Sequence, residues 1–139
     1  MMKELVAAII VKDKRLLLVH NVKHGTLRIE PPGGKIHDGE TREAAVVREA
    51  QEELGIEVRV KGPFCNHPTD SPEGGFIVHM FVCEITAGEP RVVEPDKIPA
   101  FGWYSVEEME RMMSDGTLVP NMGGALEEVG RMIEGGGIG

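Results

Sequence analysis

Apolar residues follow one rhythm at the start of the chain and another further on. From Leu5 to Val11, and again from Arg15 to Val19, short runs rich in Val, Ile and Leu flank the polar pair Asp13-Lys14, which predicts strand, turn and strand. Asn21 to Thr26 is polar and reads as a loop. Pro31-Pro32-Gly33-Gly34 reads as irregular, because neither pair suits a regular element. The rhythm then becomes helical. Thr41 can cap the helix, Ala44 to Leu54 supplies good helix formers, and Gly55 ends it.

The second half returns to strands. Glu57 to Val60 alternates, His67 to Gly75 is a loop of Pro, Gly and Asp, and Phe76 to Ile85 is a long apolar strand. Gly88-Glu89-Pro90 is a turn and Glu94 to Pro99 a loop. Phe101 to Tyr104 is a short strand, Ser105 caps a helix from Val106 to Met113, and Pro120 opens a last helix from Asn121 to Ile133. No internal repeat is visible. Strands with one early helix and a pair of late ones predict an α/β sandwich, a sheet covered by helices. At 139 residues the chain is expected to be one domain over residues 1–134, with 135–139 a flexible Gly-rich tail.

Composition narrows the function classes. Residues are 41% hydrophobic and 27% charged, and the formal net charge is -8. That balance argues against a nucleic acid duplex held on a basic patch, yet it allows a small phosphate substrate if cations screen the carboxylates. Cys65 and Cys83 are not paired by spacing and sit in apolar stretches, so both are expected as buried reduced thiols. No segment has the continuous apolar length of a membrane span, and the first residues lack a signal-peptide pattern, so a cytoplasmic location is the expectation.

The chemistry concentrates in Gly34 to Ile56, GKIHDGETREAAVVREAQEELGI. Glu49, Glu52 and Glu53 lie within an arc of roughly 100° on the predicted helix, so their carboxylates project from one side. Like charges at this spacing destabilise a helix, and a divalent cation is a physical reason to keep them together. An all-oxygen site suits magnesium or manganese better than zinc. Arg48 can pair with Glu52 four residues on, Glu40 sits where the helix dipole favours an anion, and Gly33 and Gly34 bring bare backbone close, so that a carbonyl could reach the metal. Val46, Val47, Ala50 and Leu54 form the opposite face, free to pack on the sheet.

An acidic triplet alone is usually a solvated helix face. The whole segment, however, resembles the signature of the Nudix hydrolase family: Gly, five residues, Glu, seven residues, Arg-Glu-apolar-x-Glu-Glu-x-Gly-apolar. Gly34, Glu40, Arg48, Glu49, Ala50, Glu52, Glu53, Gly55 and Ile56 fill every position at the required spacing. The resemblance implies a Nudix-type α/β/α sandwich with a mixed sheet. It also implies attack of a metal-activated water on phosphorus, with Glu49, Glu52, Glu53 and the Gly33 carbonyl as metal ligands. Arg48 would orient a glutamate. Which glutamate takes the proton differs within the family.

Substrate must be read outside the signature. Glu30-Pro31-Pro32-Gly33-Gly34-Lys35 is similar to the entry segment of MutT-type members, which would have Glu30 accept hydrogen bonds from a base or sugar and Lys35 reach a phosphate. The stretch from Gly88 to Lys97, with Trp103 after it, is similar to one in nucleoside triphosphate pyrophosphohydrolases, which makes Glu94 a further metal ligand; Trp103 itself reads as core. Asn121 stands where MutT-type enzymes carry a base-contacting asparagine, and a helix cap explains it almost as well. The stretch Thr69 to Gly75, around Pro72, resembles a loop of ADP-ribose pyrophosphatases. His67 and His79 lack metal-ligand spacing. The leading expectation is a metal-dependent pyrophosphohydrolase that converts a nucleoside triphosphate, damaged or non-standard bases included, to the monophosphate and pyrophosphate. The alternatives are ADP-ribose cleavage to AMP and ribose 5-phosphate, and a non-catalytic nucleotide-binding regulator. The partner is then a small nucleotide, with no membrane and no duplex, and a homodimer is compatible with these features.

Overall fold

The computed structural model describes residues 3–23, 25–71, 74–118 and 120–134. Among the described residues, eight strands and three helices form, the strands in two sheets. The first sheet runs in the order β5 (Gly33–Lys35), β1 (Lys3–Ile9), β7 (Gly74–Ala87), β6 (Glu57–Ser71). β1 and β7 are parallel and the other pairs antiparallel, so this sheet is mixed. The second sheet centres on β3 (Arg15–Asn21), which pairs antiparallel with β2 (Val11–Lys12), β4 (Arg28–Glu30) and β8 (Ala100–Tyr104).

Alternation along β1 and β3 divides the core. Val6, Ala8, Ile10, Leu17 and Val19 pack with Ala45, Val46, Ala50 and Leu54 of α1 (Arg42–Leu54). Ala7, Ile9, Leu16 and Leu18 point the other way, onto Met109 of α2 (Val106–Ser114) and Met122, Ala125, Val129 and Ile133 of α3 (Pro120–Glu134). Successive side chains of a strand leave on opposite faces, so each strand feeds both layers and the sheets lie between helices. The expected α/β/α sandwich with a mixed sheet is what forms.

Several expectations fail locally. Residues 31–34 were expected to be irregular, but Gly33 to Lys35 form β5, paired with Ala7, Val6 and Leu5 of β1. A glycine is required there, because a Cβ at Gly33 would lie 2.0 Å from the Val6 carbonyl oxygen. The expected loop at 67–75 is largely strand: β6 runs on to Ser71 and pairs with β7 through register shifts, two of which pass over Lys61 and Phe64 on either side of the paired Gly62 and Pro63. Asn21, expected to open a loop, is the last residue of β3, and β4 had no signal of its own. Pro72 and the tail at 135–139 lie outside the described residues. Both cysteines are free thiols, with Cys83 buried and Cys65 partly so, and burial pushes both up to about 12.

Candidate active site

The site is built on α1, whose ends are fixed as its sequence requires. The Thr41 hydroxyl accepts the Ala44 N–H at 3.0 Å, and Gly55 closes the helix in the left-handed region at φ 67°. Arg91 pins this end: its N–H donates to the Leu54 carbonyl at 2.9 Å, and its guanidinium lies where a Cβ on Gly55 would stand.

Arg48 organises the charged side of the helix. Its Nε and Nη2 donate to both oxygens of Glu40 at 2.7 and 3.0 Å. Nη1 donates to Glu49 Oε1 and to Glu52 Oε1, both at 2.8 Å, and Nη2 also reaches the Lys35 carbonyl at 2.8 Å. A planar guanidinium is suited to such a fork. The bond from Arg48, aided by the His37 N–H, holds the Glu40 carboxyl down at about 2. The expected pairing of Arg48 with Glu52 is therefore one of several contacts.

The three signature glutamates separate. Glu52 is exposed on Arg48, whereas Glu49 and Glu53 are 8% and 2% exposed. The three carboxylates, expected to project together from one side, are thus divided, with Glu52 outward and Glu49 and Glu53 buried. The two buried glutamates also share the core side of α1 with Val46 and Ala50, which were expected on the opposite face; Val47 is only partly buried. The reason is the approach of β5. Gly34 packs directly on the Glu49 carboxylate, where a Cβ would come within 2.7 Å of Oε1, and the Gly33 N–H points at Glu53 Oε1 at 3.4 Å.

Glu53 Oε2 is buried without a hydrogen-bond partner. Its nearest cation is Lys23, with Nζ 3.9 Å away. Burial first, then the adjoining Glu49 carboxylate, push the Glu53 carboxyl up to about 9 against the pull of Lys23. Among the described residues no three His, Cys, Asp or Glu side chains already converge as a cation site, since Glu52 is tied outward on Arg48. The donor chemistry nonetheless fits a hard divalent ion. It is all oxygen, it contains two adjoining buried carboxylates, and one oxygen lacks a partner. In an antiparallel strand the N–H and C=O of a residue leave on the same side, so the Gly33 carbonyl faces the same carboxylates as its N–H.

A cleft of about 590 Å³ opens beside this pair, lined by Asn21, Lys23, Arg28, Glu30, Gly33, Gly34, Lys35 and Glu49, with Leu5 and Phe76 as apolar floor. Glu30 and Lys35, the two substrate-binding candidates outside the helix, both line it. Three residues of this wall had been missed. Asn21 is buried and donates to Glu30 Oε2 at 2.8 Å, and its own oxygen accepts the Lys23 N–H at 2.9 Å. Arg28 flanks Glu30 at 3.7 Å. The missed signal is the polar residue at the end of β3, which faces Glu30 only once β3 and β4 pair. A second hollow of about 630 Å³ on the outer side of α1 reaches Glu52 but includes neither buried glutamate.

Glu94 is not brought to the carboxylates. Its side chain pairs with Lys97 at 3.5 Å, although its loop is tied to the cleft by a bond from the Val22 N–H to the Lys97 carbonyl. Asn121 lies in the first turn of α3, and its side chain is outside the described residues. Trp103 packs against the core on the α1 side, as expected.

A helix that buries carboxylates against a glycine strand, beside a cleft lined by Lys23, Arg28 and Lys35, sets oxygen ligands and cations side by side. The NUDIX domain model matches residues 2–128. The chain is 35% identical over 101 residues to an ADP-ribose pyrophosphatase of Methanocaldococcus jannaschii, which covers 69% of this chain and 59% of that protein. It is 29% identical to a NAD-capped RNA hydrolase of Salmonella agona over 77% of this chain and 40% of that protein. The chain therefore spans only about half the length of these curated relatives. Among solved structures, a MutT NUDIX hydrolase from Burkholderia pseudomallei is similar at 32% identity and a TM-score of 0.70, covering 78% of this chain and 86% of that one. The chain belongs to the Nudix hydrolase family. No helix among its described residues is long and apolar enough to cross a membrane.

Proposed function

We propose that this protein hydrolyses a nucleoside triphosphate to the monophosphate and pyrophosphate, using magnesium or manganese. The observation that carries the reading is the buried Glu49–Glu53 pair, with its unpartnered oxygen, opening onto a cleft lined by Lys23, Arg28 and Lys35. When bound, the ion would lower the pKa of a water and neutralise charge on the phosphates. Glu49, Glu52, Glu53 and the Gly33 carbonyl would hold it. Arg48 fixes Glu49 and Glu52 in place, and Glu40 keeps Arg48 oriented. Lys23, Arg28 and Lys35 bind the polyphosphate, which needs more positive charge than one ion supplies. Glu30, held by Asn21, faces the base, with Asn121 as a second base contact from α3. Glu94 joins the ion only if its loop releases Lys97, so it plays a supporting part.

The name of the Methanocaldococcus relative favours a second reading, ADP-ribose cleaved to AMP and ribose 5-phosphate. Both break a phosphoric anhydride on the same carboxylates and differ in the group beyond the diphosphate. Hydrolysis of each nucleoside triphosphate and of ADP-ribose with magnesium, with both products identified, separates them. Pyrophosphate release from a triphosphate supports the proposal, and ribose phosphate with no triphosphate turnover overturns it. Activity that survives thorough chelation overturns the metal requirement in both readings.

A further inference from the structure

Two cations touch the signature carboxylates, and they are held in opposite ways. Arg48 is locked by bonds to Glu40, Glu49, Glu52 and the Lys35 carbonyl. Lys23 makes no such bond. Its ammonium stands 3.9 Å from Glu53 Oε2, the buried oxygen that has no hydrogen-bond partner. That separation exceeds a hydrogen bond but leaves an attraction to a buried oxygen. The Lys23 backbone is anchored, through its N–H to Asn21 Oδ1 at 2.9 Å and through the neighbouring Val22 N–H to the Lys97 carbonyl at 2.9 Å. Its side chain is 31% exposed at the cleft wall, on a flexible four-carbon stem.

We propose that Lys23 is a stand-in cation, which offsets the negative charge of the buried Glu49–Glu53 pair in the metal-free protein and yields that place to the divalent ion. The inference rests on the metal reading of the same carboxylates. A charge near an oxygen it does not bond can be displaced without breaking a directional contact. An ammonium and a divalent ion cannot share that oxygen without repulsion, so the lysine sets how much free metal is needed to load the site. Displaced, it remains on the cleft wall beside Arg28 and Lys35, among the groups that meet an anionic substrate.

The test measures binding of Mn²⁺ alone, without nucleotide, by the electron paramagnetic resonance of the free ion. Lys23→Met keeps most of the stem and removes the charge, and it should bind Mn²⁺ roughly tenfold tighter than wild type. Lys23→Arg keeps the charge and should stay near wild type. Metal-free Lys23→Met should melt below wild type, and saturating Mn²⁺ should close that gap. In a Glu53→Gln background the Lys23→Met change should no longer tighten Mn²⁺ binding, a readout that a merely structural lysine would not give. Lys23→Gln, tested in parallel, covers a failure of the methionine variant to fold. Equal or weaker Mn²⁺ affinity in the neutral variants overturns the stand-in role while leaving the metal reading intact. Absence of Mn²⁺ binding by the wild type overturns both.

Discussion

Replacing Glu53 with glutamine should stabilise the metal-free protein while abolishing its chemistry. Glu53 is 2% exposed, adjoins the Glu49 carboxylate, and has one oxygen without a partner. With its carboxyl pushed up to about 9, Glu53 is protonated in the fold at neutral pH, and holding a proton that the unfolded chain gives up costs about 3 kcal/mol. The amide keeps an oxygen for the Gly33 N–H and a donor for Glu49 without having to hold that proton. An imperfect fit of the amide in the carboxyl's place offsets part of the gain. A net stabilisation of about 2 kcal/mol corresponds to a rise of roughly 6 °C in melting temperature for a chain this size. The assay is thermal unfolding of both proteins in chelator and then in saturating magnesium, with turnover measured alongside. Magnesium should raise the wild-type melting temperature and barely move the variant. Turnover should fall by about a hundredfold or more, because charge developing in the transition state loses its support. A metal-free variant that melts below wild type would refute the account of Glu53 as a carboxyl that burial keeps protonated, and wild-type turnover in the folded variant would refute its catalytic assignment.

Arg48→Gln should lose turnover and lower stability, because Glu40, Glu49 and Glu52 are left without their shared donor; Arg48→Lys should rescue little, since an ammonium cannot span the same fork, and chemical denaturation checks both. Gly34→Ala should fold yet lose most activity, because its Cβ displaces the Glu49 carboxylate, whereas Gly33→Ala should lower expression and melting temperature by clashing with the Val6 carbonyl. Asn21→Ala should change the ranking among nucleoside triphosphates by up to several kcal/mol in kcat/KM, since it frees Glu30 from its partner; an unchanged ranking would remove Asn21 and Glu30 from base recognition.

Much of this architecture was legible where local chemistry decides it. Thr41, the run of helix formers and Gly55 delimit α1 because caps and propensity act within a few residues. The Ser105 cap of α2 is legible for the same reason, and the structure adds Glu108 as its reciprocal partner. β5 and the far half of β6 were not legible. Gly33-Gly34 and the Pro68–Ser71 stretch have weak strand preference, and pairing with β1 and β7 overrides it. The spacing of the glutamates placed them on one side of a helix but could not show which of them is buried, since that depends on the approach of β5. Asn21 escaped for a similar reason, as its partner Glu30 lies across a strand pair that the sequence did not announce.

β5 ends its sheet, and an end strand exposes backbone groups that invite pairing with another chain. Here α1 meets them: Glu53 receives the Gly33 N–H and Arg48 donates to the Lys35 carbonyl. The side chains assigned to chemistry therefore also cover a strand edge. Selection that discards the activity would relax the guard on self-association at the same time, so an inactive descendant of this chain would need new residues along β5 to remain dispersed.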